Sequence, residues 1–301
     1  MFTQVDSWSV GCHAGFLLPC IKPTDRLLDV KCGPGTATLG FTAFATEGIV
    51  TGIDEDERVL ELARAAAREA GVPSQGPGSV VFERGTFTNL PFPDQTFDVV
   101  FAFQLFAYVS VHDLLRILGE MRRVLKSGGI LATRDAADDH FYPRHLDLDR
   151  LWAGNFCRAL RHNVPDAELA GPMMPTWARQ IGFGVDGREF VVQGGTSVRS
   201  SAGSRQWWAA NCEAQLRQGA LRHSWLAAGI TEHEINETTR ALRRWAATDG
   251  AWYGECVPSR TAVGLGAGLV FQCLLSLSWT PPWHRLTSAI GVLHCDLLAR
   301  K

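Results

Sequence analysis

Asp29, Gly33, Gly35 and Asp54 are the residues whose types and spacing suit chemistry on a bound ligand. Leu27, Leu28 and Val30 form a short apolar run broken by Asp29, the pattern of a buried parallel strand. Cys32-Gly33-Pro34-Gly35 then makes a turn too tight for side chains, and Thr36 reads as the N-cap of a helix over 37–44. Strand, glycine turn and helix form a cradle in which backbone N–H groups approach a small polar ligand. Asp54 follows Asp29 by 25 residues, at the end of a second strand over 48–53. An acid there supplies the two-oxygen acceptor that a ribose diol needs, with Glu55 and Arg58 leading into a helix that runs to Ala70. A dinucleotide fingerprint fails because Thr38 stands where its third glycine belongs, and a P-loop lacks its Gly-Lys-Ser/Thr.

Asp29-Val30-Lys31-Cys32-Gly33-Pro34-Gly35 resembles the first motif of class I S-adenosylmethionine-dependent methyltransferases, which usually reads DVGCGPG. Leu90-Pro91-Phe92-Pro93-Asp94-Gln95-Thr96-Phe97-Asp98 is similar to that family's loop before the fourth strand, and the stretch ending Lys126-Ser127-Gly128-Gly129 to its RVLKPGG turn. The subgroup it most resembles is the ubiquinone/menaquinone-type enzymes and their fungal secondary-metabolism relatives, such as the gliotoxin thiomethyltransferase. The resemblance implies an α/β fold: a doubly wound, Rossmann-like sheet of seven strands, the last antiparallel, with helical cap insertions. It implies S-adenosylmethionine as cofactor. Asp29, Lys31, Cys32, Gly33 and Gly35 then surround its amino-acid end, Asp54 and Glu55 its ribose, and Gly85, Thr86 and Phe87 its adenine; Phe103 and Gln104, after the fourth strand, complete the expected cofactor site. Five positions depart from the family: Lys31 replaces a glycine, Thr86 an aspartate, Phe103 and Tyr108 histidines, and Ser127 a proline.

A helix expected over 7–22 places Trp8, His13 and Phe16 as lid residues, and an insertion over 135–175 closes the substrate side. Trp8, Phe16, Tyr108 and Trp152 are the expected substrate-pocket residues. The loop after the fourth strand offers no base, which leaves His13 and His140 as candidates. A thiol acceptor, partly ionised at neutral pH, needs least help and ranks ahead of amine and hydroxyl. Asp138, Asp139 and His140 cluster, but no third ligand is fixed by spacing, so no metal is expected. Three helices are read over 204–219, 221–229 and 231–248, capped by Ser204 and Thr231. The rival reading is a binding or regulatory protein that keeps the fold but is impaired at Lys31.

The 301 residues, 46% hydrophobic with a formal net charge of −2, give no sign of disorder or of nucleic-acid binding. Eight scattered cysteines without a CxxC pair suit reduced thiols in a cytoplasmic protein, and the first residues lack a signal-peptide pattern. The methyltransferase domain is read over 1–253. Trp252-Tyr253 is expected to begin the last strand and 292–301 to complete it. Between them, 254–291 is rich in Gly, Pro and apolar residues without helical or strand period. Its apolar part, 263–279, is short for a membrane span of about 20 residues. Gly254-Glu255-Cys256 can be encoded by a sequence containing GTGAGT, a 5′ splice signal, and Ile290-Gly291 by one holding a terminal AG. The segment therefore reads as a retained intron, the alternative being a genuine insertion that forms a membrane or partner contact.

Overall fold

The computed structural model describes residues 10–106, 109–136, 139–164, 170–183, 190–193, 197–255 and 294–300. The apolar runs form strands β1 (Arg26–Val30), β2 (Ile49–Asp54), β3 (Ser79–Arg84), β4 (Phe97–Phe103) and β5 (Leu125–Ala136), parallel in the order β3-β2-β1-β4-β5. Later strands are β6 (Asp139–Tyr142), β7 (Phe190–Gln193), β8 (Ser197–Arg199), β9 (Trp252–Glu255) and β10 (His294–Arg300). β10 runs antiparallel between β5 and β7 and completes the main sheet, while β6, β9 and β8 form a separate three-stranded sheet. The strand order turns back at β1, so a crevice opens at the C-terminal ends of β1 and β4.

The helices are α1 (Val10–Ala14), α2 (Thr36–Phe41), α3 (Glu57–Glu69), α4 (Val111–Val124), α5 (Asn155–Asn163), α6 (Ala170–Gln180), α7 (Ala202–Gln218), α8 (Ala220–Ala227) and α9 (Glu232–Ala247). Side chains alternate across the strands, so each face of the sheet acquires its own core. Leu27, Val50, Val99 and Phe101 meet Phe41, Leu60 and Ala63 of α2 and α3. Leu28, Val30, Val100 and Ala102 meet Leu114, Ile117 and Met121 of α4 and Trp177 of α6. A third core lies in the cap, where Phe141, Trp152, Trp225, Trp245 and Tyr253 are buried and Trp208 packs against them. Among the described residues no helix is long and apolar enough to cross a membrane.

Several elements differ from expectation for local reasons. The described part of the expected helix over 7–22 is only α1 and a 3-10 turn at Leu18–Cys20; Gly11, Gly15 and Pro19 weaken a longer helix. Gly35, not Thr36, is the N-cap of α2, because its left-handed φ of 79° sets the direction of entry. The expected turn at 126–129 lies inside β5, since Leu125 pairs with Phe97 across a shift in register. Ser201, not Ser204, caps α7, its side chain accepting from Ser204 N, whereas Thr231 caps α9 with Glu234 in a capping box. Trp252 and Tyr253 join β6 and β8 rather than the main sheet: Tyr253 stacks on Phe141 at 4.7 Å and donates to Asp139 Oδ1 at 2.9 Å. Of the expected insertion, 256–291 lies outside the described residues.

Trp245 anchors the cap core, fully buried, edge-on to Phe141 and donating from Nε1 to Tyr142 O at 3.1 Å. Trp245→Ala is expected to lower stability by about 3–5 kcal/mol, the usual range for a buried tryptophan, as read by urea unfolding. A loss under 1 kcal/mol contradicts the packing described.

Candidate active site

After β1 the chain turns back over the end of β2. Lys31 N and Cys32 N both donate to Ile53 O, at 2.9 and 3.1 Å, and Gly33 N donates to Asp54 Oδ2 at 3.0 Å. The other Asp54 oxygen accepts from Asp56 N at 3.0 Å, and Asp56 rather than Asp54 caps α3. Gly35 is required sterically as well as conformationally: a Cβ there would stand 2.8 Å from the Phe82 ring and 2.9 Å from Ala63. Above Gly33, at φ 53°, a Cβ would meet nothing within 4 Å, so the space over the turn is open.

Asp29 is 2% exposed and accepts from Thr38 Oγ1 at 2.6 Å. Burial pushes its carboxyl up to about 7, against the Thr38 hydrogen bond and with help from the nearby Asp54 charge. The Cys32 thiol is likewise pushed up by burial and by Asp29 and Asp54, so it stays protonated and is no nucleophile.

A cleft of about 360 Å³ opens between this turn and the end of β4, its lining including His13, Asp29, Lys31, Gly33, Phe103 and Gln104. Lys31 and Gln104 face each other across it with φ of 64° and 46°. Left-handed backbone costs a non-glycine residue roughly 1–2 kcal/mol. Lys31 Nζ donates to Gln104 O at 2.9 Å, joining the two strained residues. Burial lowers the Lys31 pKa, while the Asp135 and Asp54 charges pull it back up. The loop after β4 is fastened to β5, Gln104 N donating to Arg134 O at 2.8 Å and Phe106 N to Asp135 Oδ1 at 3.0 Å. His13, 6% exposed, stacks on Phe103 at 4.4 Å between ring centroids.

The structure therefore brings Asp29, Lys31, Cys32, Gly33, Phe103, Gln104 and His13 around one cleft, with Asp54 bonded to its turn. Glu55 and Gly85 stand at the adjoining strand ends: Glu55 Oε1 accepts from Phe87 N at 3.4 Å, and Gly85 N donates to Asp54 O at 3.1 Å. Thr86 is exposed and bonds Thr88, whereas Phe87 is buried in the core. Phe16 packs half-buried against the core beneath α2. His140 is not among the cleft-lining residues; its Nδ1 lies 3.0 Å from Asp149 Oδ2, a carboxylate that Arg144 also engages. Trp152 is in the cap core, against Trp208 and Trp225. Trp8 and Tyr108 lie outside the described residues. Among the described residues no three His, Cys, Asp or Glu side chains converge as a metal site. Sequence reasoning missed Asp135, an acid ending an apolar strand, the same signal that marks Asp29 and Asp54.

The donor set fits S-adenosylmethionine: a glycine turn with open space above Gly33, acids at the ends of β1 and β2, and the Phe103 ring at the end of β4. Residues 28–133 match the family described as the Methyltransferase domain. The chain is 53% identical over 245 residues to "probable methyltransferase ltbC" of Aspergillus luteorubrus, covering 80% of this chain and 86% of that protein. It is 37% identical over 119 residues to the 27-O-demethylrifamycin SV methyltransferase of Amycolatopsis mediterranei, covering 40% of this chain and 41% of that one. A solved structure from Bacillus halodurans, named for the methyltransferase family, superimposes with a TM-score of 0.52 at 16% identity, over 95% of this chain and 96% of its own. It shares the fold. The protein described here belongs to the class I S-adenosylmethionine-dependent methyltransferases.

Proposed function

We propose that this methyltransferase alkylates a small secondary-metabolite acceptor, a thiol in first place, in the cleft between the β1 turn and the end of β4. The observation that carries this reading is the cleft wall at the end of β4, where the Phe103 ring, stacked on His13, lies beside Gln104. S-adenosylmethionine supplies an electrophilic methyl group when bound. The chain's part is to hold and align, which accounts for much of the rate of an in-line displacement. On this reading Asp54 accepts from the ribose hydroxyls, Thr86 bonds the adenine edge, and Phe103 keeps water from the acceptor. A thiol, with an ordinary pKa near 8.5, enters partly ionised and asks little of the protein.

A hydroxyl acceptor is the second reading, and the position of His13 favours it. An imidazole in the cleft wall can take a proton that an alcohol must lose, a contribution typically worth 10²–10⁴ in rate. The Amycolatopsis relative, by its name, works on an oxygen of rifamycin.

Two measurements test the assignment. Asp54→Ala is expected to weaken S-adenosylhomocysteine binding by about 2 kcal/mol or more, as seen by calorimetry. Asp54→Asn, which keeps an acceptor, should lose less. Unchanged affinity in the alanine variant removes Asp54 from the ribose. For the acceptor, thiol and hydroxyl forms of one scaffold are compared in the native enzyme and in His13→Phe, which retains a ring against Phe103. Thiol turnover is expected to change by less than about threefold and hydroxyl turnover to fall by about 10²-fold or more. Hydroxyl turnover that exceeds thiol turnover and survives loss of both His13 and His140 rules out the thiol-first reading.

A further inference from the structure

Strand order lays the proposed cofactor along one edge of the sheet. Adenine falls beside Thr86 after β3 and ribose at Asp54 after β2; the next strand in the order is β1, about 4.8 Å further on. The amino-acid end therefore reaches the turn after β1, where the cleft opens. Lys31 stands there, its half-buried ammonium held at 2.9 Å by Gln104 O from the opposite wall. Backbone strain at both ends of that bond, with φ of 64° and 46°, is of the kind retained at ligand clamps. Burial lowers the pKa of the amine, and the Asp135 and Asp54 charges act against that. We propose that Lys31 is a cofactor-binding residue whose ammonium receives the methionine carboxylate of S-adenosylmethionine. A protonated amine meeting a carboxylate in a half-buried cleft makes a charge-assisted hydrogen bond, among the stronger kinds.

This inference rests on the cofactor placement above, and the test separates the two. Calorimetry measures S-adenosylhomocysteine and its decarboxylated analogue against the native protein, Lys31→Met and Lys31→Gly. The native protein is expected to prefer the carboxylate-bearing ligand by at least about tenfold, and both variants to lose most of that preference while still binding the analogue. Lys31→Gly relieves the left-handed strain, so a loss of preference there cannot be laid to misfolding. Preference unchanged in both variants overturns the inference, even if both affinities fall together, since that marks Lys31 as only a link between the two walls. A native protein that binds neither compound overturns the cofactor placement itself.

A second inference rests on strand register alone. β5 and β6 follow one another with only residues 137 and 138 between them, and each pairs antiparallel with a late strand. In the β5–β10 ladder, partner numbers total 430, as for Ala136 and His294; in the β6–β9 ladder they total 394, as for Asp139 and Glu255. The registers differ by 36 positions. Continued unbroken, the β10 register assigns chain position 291 to Asp139, the residue that Glu255 already faces. We infer that β9 and β10 are two halves of one strand, and that the functional chain is the one in which the intervening segment has been removed. Joining Gly254 to Val292, the junction that codons of this kind allow, deletes 37 residues and leaves the ladder one residue short, the content of a single β-bulge.

The chain lacking 255–291 is expected to melt several degrees above the full chain, because fewer residues separate the paired halves of the strand, and to bind S-adenosylhomocysteine at least as tightly. Sequencing of mature transcripts is expected to find the spliced form. An excised chain that is insoluble or melts lower, or transcripts that all retain the segment, overturns the inference.

Discussion

The bond from Gly33 N to Asp54 Oδ2 is the constraint on which the site depends. It fixes the turn after β1 against the end of β2, reinforced by Lys31 N and Cys32 N on Ile53 O. From below, Gly35 sits against Phe82 and Ala63 with no room for a side chain, so β3 and α3 fix the same turn. From behind, Thr38 ties α2 to the buried Asp29. Held from three sides, the turn can keep a lysine in left-handed backbone that an isolated loop would relax.

The opposite wall is held independently. Gln104 and Phe106 are fastened to Arg134 and Asp135 at the end of β5, so the backbone of the loop after β4 is held by β5. Lys31 Nζ bonds Gln104 O across the cleft, from the β1 turn to this loop. A residue in that position controls cleft width as well as charge, which is why replacing it by a neutral side chain of similar length and by glycine ask different questions.

The parallel sheet and the glycine turn were legible in the sequence because both follow from local rules. Apolar runs of strand length ended in acids, and only small residues suit Cys32-Gly33-Pro34-Gly35. The acids at Asp29 and Asp54 were found by that rule, and Asp135, which obeys it equally, was passed over because the adjoining segment looked like loop. What escaped was set by distant partners. The inclusion of Lys126 to Gly129 in β5 depends on pairing with Phe97, and the place of Tyr253 in the small sheet depends on Phe141 and Asp139. His140 looked like a base from its neighbours in sequence, yet Asp149 and Arg144, brought near by the following turns, hold it in the cap. The helix starts divided along the same line. Thr231 with Glu234 is a capping box written within four residues, whereas Gly35 caps α2 through a φ fixed by packing beneath it.

The sheet core and the cap core meet along the β5–β6 run. Asp135 fastens the loop that closes the cleft, and a few residues on, Phe141 lies in the aromatic cluster with Trp245, Trp208 and Tyr253. A shift of one residue in the β6 ladder would turn Phe141 out of the cap core, and one in the β5 ladder would turn Asp135 away from Phe106, since strand side chains alternate faces. The registers of β5 and β6 thus set cleft and cap respectively. Its antiparallel partners are β10 on the sheet side and β9 on the cap side. Continuity between those partners would make the two registers a single one, and any break between them leaves cap and cleft free to be set separately.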